Sequence, residues 1–211
     1  MKTLLKSENM ENKEAFIFLK KKTRLLGFHD FNRHIEAIGP LEIKTSKARF
    51  KKHLVKIICM QQISVTAATA IWKRVEAVLD SSIGRKPSIE LNRQLKESGL
   101  SEQKVNYVNG IYFNPELNIS KKTLQKQTQD EVEQLLIKQK GIGPWTVEMV
   151  RLFYIGDPNV ISLLDLGIKN AHSIAFQGQD YSQDFFDQFS PFNSYLCLYL
   201  WRLLEDENLS I

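Results

Sequence analysis

The segment Lys138–Val150, KQKGIGPWTVEMV, constrains the fold because it reverses the chain between two helical stretches. Upstream, the stretch Thr128–Glu131 is a capping box that opens an amphipathic helix, and Gly141 is a favoured residue for ending that helix. Pro144 then restarts a helix as its first residue, where the missing N–H of proline costs nothing. The segment therefore predicts two helices joined by a very short turn, a helical hairpin over residues 129–155.

Helical periodicity also dominates the rest of the chain, and strand-like alternation is scarce. In Arg49–Leu79, apolar residues recur at helical spacing, and the polar pair Gln61-Gln62 followed by Ser64, a natural N-cap, splits this stretch into two helices. A last helix is predicted from Ser194 to about Leu204. Two loops are predicted, at Asp80–Ser88 and at Gly156–Ser162. These patterns predict an all-α protein of about ten helices.

Charge and cysteine content narrow the classes of function. The net charge of +5 over 211 residues favours a polyanionic partner if the cations cluster, and it fits a merely soluble basic protein equally well. The two cysteines, Cys59 and Cys197, give neither a disulfide framework nor an iron–sulfur spacing, which suits a reducing compartment. The N-terminus lacks the apolar core of a secretory signal and no apolar run approaches membrane length. A soluble, cytoplasmic protein without a membrane partner is expected.

The turn Gly141-Ile142-Gly143 has two interpretations. Both glycines can adopt backbone angles denied to other residues, and Ile142 can fill the apolar gap between the helices. The restarted helix offers amide N–H groups and the positive end of its dipole, so the turn can hold a DNA phosphate, with Lys138 and Lys140 adding charge. A glycine cap that simply connects two core helices is the alternative.

The acidic residue Asp165 follows Gly143 by 22 residues. That length holds one helix, Pro144–Tyr154, and a Gly-Asp-Pro loop, so the chain is expected to return Asp165 towards the glycine turn at the start of another helix. The spacing from Ser162 to Asp165 also fits a capping box, in which the carboxylate only caps a helix. From these residues alone, capping is the simpler interpretation.

Several segments in order resemble the helix–hairpin–helix DNA glycosylase superfamily, specifically its 3-methyladenine DNA glycosylase II branch. The glycine turn followed by a loop and Asp165–Lys169 (DLGIK) carries the strongest resemblance, which extends over about residues 28–205. The resemblance implies an all-α fold of two helical subdomains with an active-site cleft between them. It also implies a glycosylase domain over residues 28–211 and an N-terminal helical extension over residues 1–27. The other similar segments are Ile35–Ile43, Ile58–Val75, Ser98–Ile111 and Pro191–Trp201.

The resemblance implies an enzyme of base excision repair that acts on double-stranded DNA. Such an enzyme flips out alkylated purines, of the 3-methyladenine and 7-methylguanine type, and hydrolyses the N-glycosidic bond to leave an abasic site. Asp165 is then the catalytic carboxylate, which stabilises positive charge on the sugar and orients or deprotonates the attacking water. Related bifunctional enzymes have a nucleophilic lysine where this chain has Trp145, so a monofunctional enzyme without strand cleavage is expected.

The same resemblance assigns further residues to the base pocket and to DNA contacts. Trp201, Trp145 and Met149 match the base pocket, where aromatic rings add a cation–π interaction with an alkylated purine. Core packing is the alternative for each tryptophan. Gln62 matches the side chain that fills the gap left by the flipped base, with a solvated turn as the alternative. The predicted DNA contacts are Gly141, Ile142, Gly143, Gln62, Lys140 and Thr146.

The resemblance also concerns cofactors and assembly. The backbone carbonyls of Ile137, Gln139 and Gly141 match a site for a monovalent cation, Na⁺ or K⁺, that helps the hairpin hold a phosphate. No required cofactor and no iron–sulfur cluster is expected. The protein is expected to act as a monomer, associated with the nucleoid if it is bacterial.

Three positions depart from the pattern of the family. Ser162 stands where proline is usual, Asn193 where arginine is frequent, and Met149 where some relatives have an aromatic residue. These departures leave open how rigidly Asp165 is held and which base is preferred. A helix–hairpin–helix protein that binds damaged or bent DNA without cutting it therefore stays as the alternative function. A glycosylase for uracil or mismatched bases is less favoured, because neutral pyrimidines gain less from a pocket for cations.

Overall fold

The computed structural model describes residues 2–82 and 86–208, and every regular element in these ranges is helical. The all-α class predicted from the sequence is confirmed. Two short turns of other helical types occur at Pro115–Leu117 (3-10) and Arg151–Ile155 (π). The twelve α-helices of the described ranges are α1 Lys2–Leu25, α2 His29–Ile38, α3 Phe50–Met60, α4 Val65–Ser81, α5 Ile89–Glu97, α6 Glu102–Tyr112, α7 Lys121–Leu124, α8 Gln129–Ile137, α9 Pro144–Val150, α10 Leu166–Ala175, α11 Gln183–Asp187 and α12 Asn193–Asn208.

Most predicted helix starts are found in the structure, whereas several predicted helix ends differ. Helix α9 ends at Val150, where the π turn begins, rather than at Tyr154, and α12 continues to Asn208 rather than to about Leu204. Ser64 caps α4, and α9 begins at Pro144, as the sequence predicted. Helix α4 continues to Ser81, two residues into the predicted loop, and residues 83–85 of that loop lie outside the described part of the chain. Helix α8 ends at Ile137 rather than at Gly141, because residues 138–141 form a separate turn.

The chain divides into two compact units. The terminal unit contains the described residues up to Thr45 and those from Arg151 onward, and the central unit contains Ser46–Val150. The sequence predicted an extension over residues 1–27 and a domain over residues 28–211. The two compact units do not test that boundary, so it stays a prediction. Within the described ranges, no helix combines the length and the apolar character that crossing a membrane would require.

The core of the terminal unit is rich in aromatic rings. Helix α10 packs against α12, and α1 packs against both α2 and α12. The fully buried ring of Phe176 contacts the rings of Phe28, Phe31 and Phe185 at centroid distances of 4.8, 5.0 and 5.0 Å. Leu19 brings α1 into the same core. Because each buried aromatic ring removes a large apolar area from water, this cluster holds α10 and α12 in a fixed arrangement.

Helix α3 organises the central unit, because it packs against α4, α6 and α9. Its apolar face carries Leu54 and Ile58, both fully buried. On another face, Lys52 forms ion pairs with Glu76 and Asp80 of α4 at 2.9 and 3.0 Å. Helix α8 packs against α9, and α9 packs against α3, so the two helices that flank the glycine turn belong to one core.

The two glycines of the turn between α8 and α9 have different structural roles. Gly141 has a φ of +89°, and a Cβ added to it would lie 2.4 Å from the ring of Tyr107. The left-handed backbone and the close approach of Tyr107 therefore both require glycine at this position. A Cβ added to Gly143 would meet no heavy atom within 4 Å, and its φ is not positive. The sequence suggested that both glycines could adopt backbone angles denied to other residues. Of the two, only Gly141 has a positive φ.

Alanine substitutions at these two glycines should separate their roles. Gly141→Ala is expected to lower the free energy of unfolding by roughly 2–4 kcal/mol, because a left-handed alanine is strained and its methyl group displaces the Tyr107 ring. Gly143→Ala is expected to stay within about 0.5 kcal/mol of the unsubstituted protein. Urea denaturation of the matched pair measures both values, and equal losses would contradict this assignment.

Candidate functional site

The glycine turn of the central unit is held in place by a residue that precedes it by 80 positions. Gln61, the C-cap of α3, donates its side-chain amide to the carbonyl oxygen of Gly141 and to Oγ1 of Thr146, both at 3.0 Å. Upstream, Thr128 and Glu131 form the predicted capping box of α8. The turn is therefore fixed from two sides, by its own helix and by α3.

The predicted DNA-contact residues of the turn divide into buried and exposed groups. Ile142 is 6% exposed and Thr146 is 1% exposed, so both side chains belong to the packing of the turn. Ile142 was predicted to fill the apolar gap between the two helices, and its burial agrees with that prediction. The side chains of Lys138 and Lys140 are exposed to solvent. The turn thus presents a rigid backbone with exposed cations beside it.

Gln62 has the most unusual backbone of the described non-glycine residues. Its φ of +60° is the one positive value among them. Its side chain is exposed, and it lies between Gln61 and the exposed Ile63 in the short connection from α3 to α4. A left-handed conformation in a residue other than glycine costs roughly 1–3 kcal/mol, and such residues cluster at functional sites. The structure therefore gives Gln62 a distinct geometry, while its contact with DNA stays a prediction.

The three carbonyl oxygens matched to a cation site follow the end of α8. The oxygen of Gln139 accepts the N–H of Ile142 at 3.1 Å, and that of Gly141 accepts the amide of Gln61 at 3.0 Å. A carbonyl oxygen has two lone pairs, so an oxygen that accepts one hydrogen bond can still bind a cation. The chemistry of this donor set fits Na⁺ or K⁺, and binding at Ile137, Gln139 and Gly141 stays a prediction.

In the terminal unit, Asp165 is the N-cap of α10. Its Oδ1 accepts the N–H of Ile168 at 3.0 Å and the indole Nε1–H of Trp201 at 3.1 Å. The helix begins at Leu166, so Asp165 itself is the cap, rather than the fourth residue of a box opened by Ser162. The interpretation that the Asp165 carboxylate caps a helix is thus confirmed, although the helix does not begin with a box opened by Ser162. Two hydrogen bonds to one oxygen fix the orientation of the carboxylate.

A glycine makes the contact between Trp201 and Asp165 geometrically feasible. A Cβ added to Gly167 would lie 3.0 Å from Oδ1 of Asp165 and 3.3 Å from Cδ1 and Nε1 of Trp201. Contacts of 3.0–3.4 Å are tighter than ordinary van der Waals distances, so a larger residue would push the indole away from the carboxylate. The glycine of the DLGIK segment is therefore explained by this approach of α12 to the start of α10.

Trp201 also forms one wall of a pocket. Its ring stacks on that of Phe153, with centroids 5.8 Å apart and planes inclined by 26°. The pocket beside this pair has a volume of about 320 Å³. It is lined by Leu41, Glu42, Lys44, Phe153, Leu198, Trp201, Arg202 and Glu205. Phe153 was not among the predicted pocket residues, although its position four residues after Met149 puts it on the same helical face.

The loop before Asp165 is anchored to the start of α12. The buried hydroxyl of Ser194 donates to the carbonyl oxygen of Asp157 at 2.6 Å and accepts the N–H of Val160 at 2.8 Å. The N–H of Ser194 donates to the carbonyl oxygen of Pro158 at 3.0 Å. Arg151 forms an ion pair with Asp157 at 2.6 Å. Helix α12 therefore holds the loop at its N-terminal end and holds Asp165 through Trp201, two turns further along.

Two of the departures from the family pattern lie in this loop region. Ser162 is 1% exposed, and its carbonyl oxygen accepts the N–H of Asp165 at 3.2 Å. Asn193 is 2% exposed and donates its amide to Oδ1 of Asn159 at 2.9 Å. Asn159 in turn donates to Oγ of Ser190 at 3.1 Å. Hydrogen bonds at Ser162, Asn193 and Ser194 thus hold the chain that leads to Asp165. The sequence left open how rigidly Asp165 is held, and these contacts restrain it.

The structure places the predicted site residues in both units. Asp165 and Trp201 come together in the terminal unit. The remaining predicted residues, including Trp145 and Met149, belong to the central unit, where Met149 is 6% exposed and Trp145 is partly buried. Their roles in a base pocket stay predictions.

Curated proteins similar to this chain carry the name DNA-3-methyladenine glycosylase. The chain is 32% identical over 166 residues to a protein of Bacillus subtilis named "Putative DNA-3-methyladenine glycosylase YfjP". That alignment covers 72% of this chain and 58% of YfjP, so the chain spans less than two thirds of that relative. It is also 26% identical over 198 residues to DNA-3-methyladenine glycosylase 1 of Schizosaccharomyces pombe, covering 87% of this chain and 80% of the yeast protein. No family model matches the chain.

Solved structures share the fold. A 3-methyladenine DNA glycosylase of Schizosaccharomyces pombe, Mag1, in complex with abasic DNA superposes with a TM-score of 0.73 at 24% identity, covering 90% of this chain and 95% of Mag1. A DNA-3-methyladenine glycosidase of Bacillus halodurans gives a TM-score of 0.68 at 27% identity, with 88% of each chain covered. The fold is that of the helix–hairpin–helix DNA glycosylases, and these comparisons support the resemblance to that superfamily that the order of the sequence segments predicted.

The strained backbone of Gln62 leads to a test of stability. Gln62→Gly is expected to raise the free energy of unfolding by up to about 1 kcal/mol, because glycine adopts a positive φ without strain. Gln134→Gly, at an exposed position in the middle of α8, is expected to lower it by about 1 kcal/mol. Urea denaturation compares the two variants, and a loss of stability in Gln62→Gly would show that this side chain is needed for folding.

Proposed function

We propose that this protein is a monofunctional DNA glycosylase that flips alkylated purines out of double-stranded DNA and hydrolyses their N-glycosidic bond. The observation that carries the proposal is the carboxylate of Asp165, oriented by Ile168 and Trp201 beside an aromatic pair. The names of the relatives, which cite DNA-3-methyladenine, support the class of substrate.

Asp165 supplies the negative charge for the reaction. As the bond between C1′ and the base nitrogen breaks, its electron pair leaves with the base and positive charge develops on the sugar. A carboxylate held in a fixed orientation stabilises that charge without reorganisation during the reaction. Water then forms the new bond to C1′ and releases one proton, and the products are the free base and an abasic site. Asp165 orients this water and accepts its proton.

The aromatic residues account for a preference for cationic bases. Methylation at N3 or N7 gives a purine a formal positive charge, which an electron-rich ring attracts by roughly 1–2 kcal/mol once the site is desolvated. Trp201 offers its ring for this contact, supported by the stacked ring of Phe153. Trp145 and Met149 are the further pocket residues of the proposal. A cationic purine is also a good leaving group, so no residue needs to protonate it.

The central unit binds the DNA backbone in this proposal. In the proposal, the glycine turn accepts a backbone phosphate at the amide end of α9, and Lys140 adds charge beside it. Gly143 supports this role. No atom of the described chain requires a glycine at this position, whereas a phosphate that approaches the backbone would need the space that a side chain takes. Thr146 braces the turn from within α9, and Gln62 fills the gap that the flipped base leaves. A monovalent cation at the three turn carbonyls would add positive charge next to the phosphate.

Strand cleavage is not part of the proposed activity. Bifunctional relatives use a lysine amine that forms a Schiff base with the sugar, and this chain has Trp145 at that position. A protein that binds damaged DNA without chemistry is the second candidate function, favoured by the capping role that Asp165 already has.

Base release from methylated duplex DNA tests the activity. The protein is expected to release free 3-methyladenine or 7-methylguanine, measured by chromatography, and to leave strands intact until alkali is added. Asp165→Asn keeps an oxygen that can cap α10, so the free energy of unfolding should change by less than about 1 kcal/mol. The same variant should lower the excision rate at least about 100-fold, because the charge is lost. An active Asn variant would remove Asp165 from catalysis, and DNA binding without base release would favour the second candidate.

Trp201→Phe tests the indole hydrogen bond separately from the aromatic ring. The phenyl ring keeps a wall against Phe153 but cannot donate to Asp165, so the single-turnover rate should fall roughly 10- to 100-fold with little change in affinity for abasic DNA. Leu198→Met, a change of similar volume in the same pocket, is the control and should stay within about threefold. A Trp201→Phe variant with the full rate would show that the hydrogen bond has no part in the reaction.

A further inference from the structure

A chain of contacts joins the glycine turn to the connection between α3 and α4. The amide nitrogen of Gln61 uses its two hydrogens on the carbonyl oxygen of Gly141 and on Oγ1 of Thr146, both at 3.0 Å. These partners lie on opposite sides of the turn, one before α9 and one inside its first helical turn. Because Gln61 is partly buried, water competes less for these hydrogen bonds than it would at the surface.

The backbone of Gln61 is fixed as well. Nζ of Lys104, on α6, donates to the carbonyl oxygens of Gln61 and Cys59 at 2.8 and 3.3 Å. These carbonyls lie at the C-terminal end of α3, where helical partners are lacking and a cation is favourable. Lys104 therefore replaces the missing hydrogen bonds at this helix end and holds Gln61 at both its backbone and its side chain.

Helix α6 also supports the turn directly. Tyr107 lies three residues after Lys104, on the same side of α6, and its ring fills the space that a side chain at residue 141 would need. One helix thus contacts both the end of α3 and the glycine turn. Lys104 and Tyr107 belong to the segment Ser98–Ile111, whose residues have no part in the proposed chemistry.

Gln62 is therefore displayed by a short loop that is fixed at both ends. Gln61 holds one side of it, and the cap of α4 by Ser64 holds the other. The left-handed φ of +60° at Gln62 needs such support, because an unsupported residue of this type would relax to a negative φ. We define Gln61–Ser64 as the insertion loop.

We propose that Gln61 is a positioning residue that couples the insertion loop to the glycine turn. Its side chain fixes the position of Gln62 relative to the turn. Binding of a DNA phosphate by the turn and insertion of Gln62 into the duplex therefore occur together. Gln61 itself need not touch the DNA. This inference rests on the proposed function, because it assumes that the turn and Gln62 both contact DNA.

A double-mutant cycle on DNA affinity tests the coupling. The probe is a duplex with a tetrahydrofuran residue, an abasic-site analogue that cannot be excised, and the dissociation constant is measured by fluorescence anisotropy. In the wild-type background, Gln62→Ala should weaken binding about tenfold, the effect of one good contact. In the Gln61→Met background, which keeps the side-chain size but removes the amide, Gln62→Ala should cost less than about twofold. Equal costs in both backgrounds overturn the proposal.

Matched variants separate coupling from general damage. Gln134→Met, on the exposed side of α8, makes the same chemical change away from the insertion loop and should leave the full tenfold effect of Gln62→Ala. If Gln61→Met does not fold at the assay temperature, the cycle is measured in the Thr146→Val background, which removes one of the two Gln61 hydrogen bonds. The cost of Gln62→Ala should then fall clearly below tenfold, and an unchanged cost overturns the proposal. Loss of stability alone would not change the coupling between two folded variants.

The result can be distinguished from failure of the proposed function. Coupling without base release would leave this inference intact and overturn the excision activity. Base release with additive effects of Gln61 and Gln62 would overturn this inference alone. A wild-type protein with no affinity for the tetrahydrofuran duplex would overturn both.

Discussion

Unpaired polar groups at helix ends are the constraint on which this fold depends. An all-α chain leaves several amides and carbonyls at every helix terminus without a helical partner, and each needs one when it is buried. Here Asp165 serves the start of α10, Lys104 serves the end of α3, and Ser194 joins the start of α12 to the loop before Asp165. Asp165, Gln62 and the glycine turn, which are proposed for function, also lie at or next to helix ends, where backbone groups without helical partners can meet a ligand.

Capping and catalysis are compatible roles for Asp165. The cap uses Oδ1, and the hydrogen bonds from Ile168 and Trp201 to that atom fix the plane of the whole carboxylate. A charge placed in advance needs no reorganisation when a transition state forms, so the structural role prepares the chemical one. Gly167 is part of the same arrangement, because its missing side chain lets the indole reach the carboxylate. One short segment thus combines helix initiation with the geometry that the proposed reaction needs.

The sequence predicted much of the fold because its signals are local. The capping box at Thr128, the N-cap at Ser64 and the restart at Pro144 each depend on residues within one helical turn, and all three are found in the structure. The end of α8 was predicted less well, because the four residues up to Gly141 form a turn that is held by Gln61 and Tyr107 from elsewhere in the chain. Phe153 was missed as a pocket residue because its spacing from Met149 gives the helical face but does not show whether that face lines a pocket or packs in a core.

By itself, the sequence determined that this chain is helical, where most helices begin, and which superfamily it resembles, since these properties depend on short segments and their order. The tertiary structure decided that Trp201 donates to Asp165, that Gln61 reaches Gly141, and that Gly141 rather than Gly143 is required by packing. These contacts join residues 36 and 80 positions apart, so no local pattern encodes them. They form only when the helices pack, because packing alone brings such distant side chains within hydrogen-bonding distance.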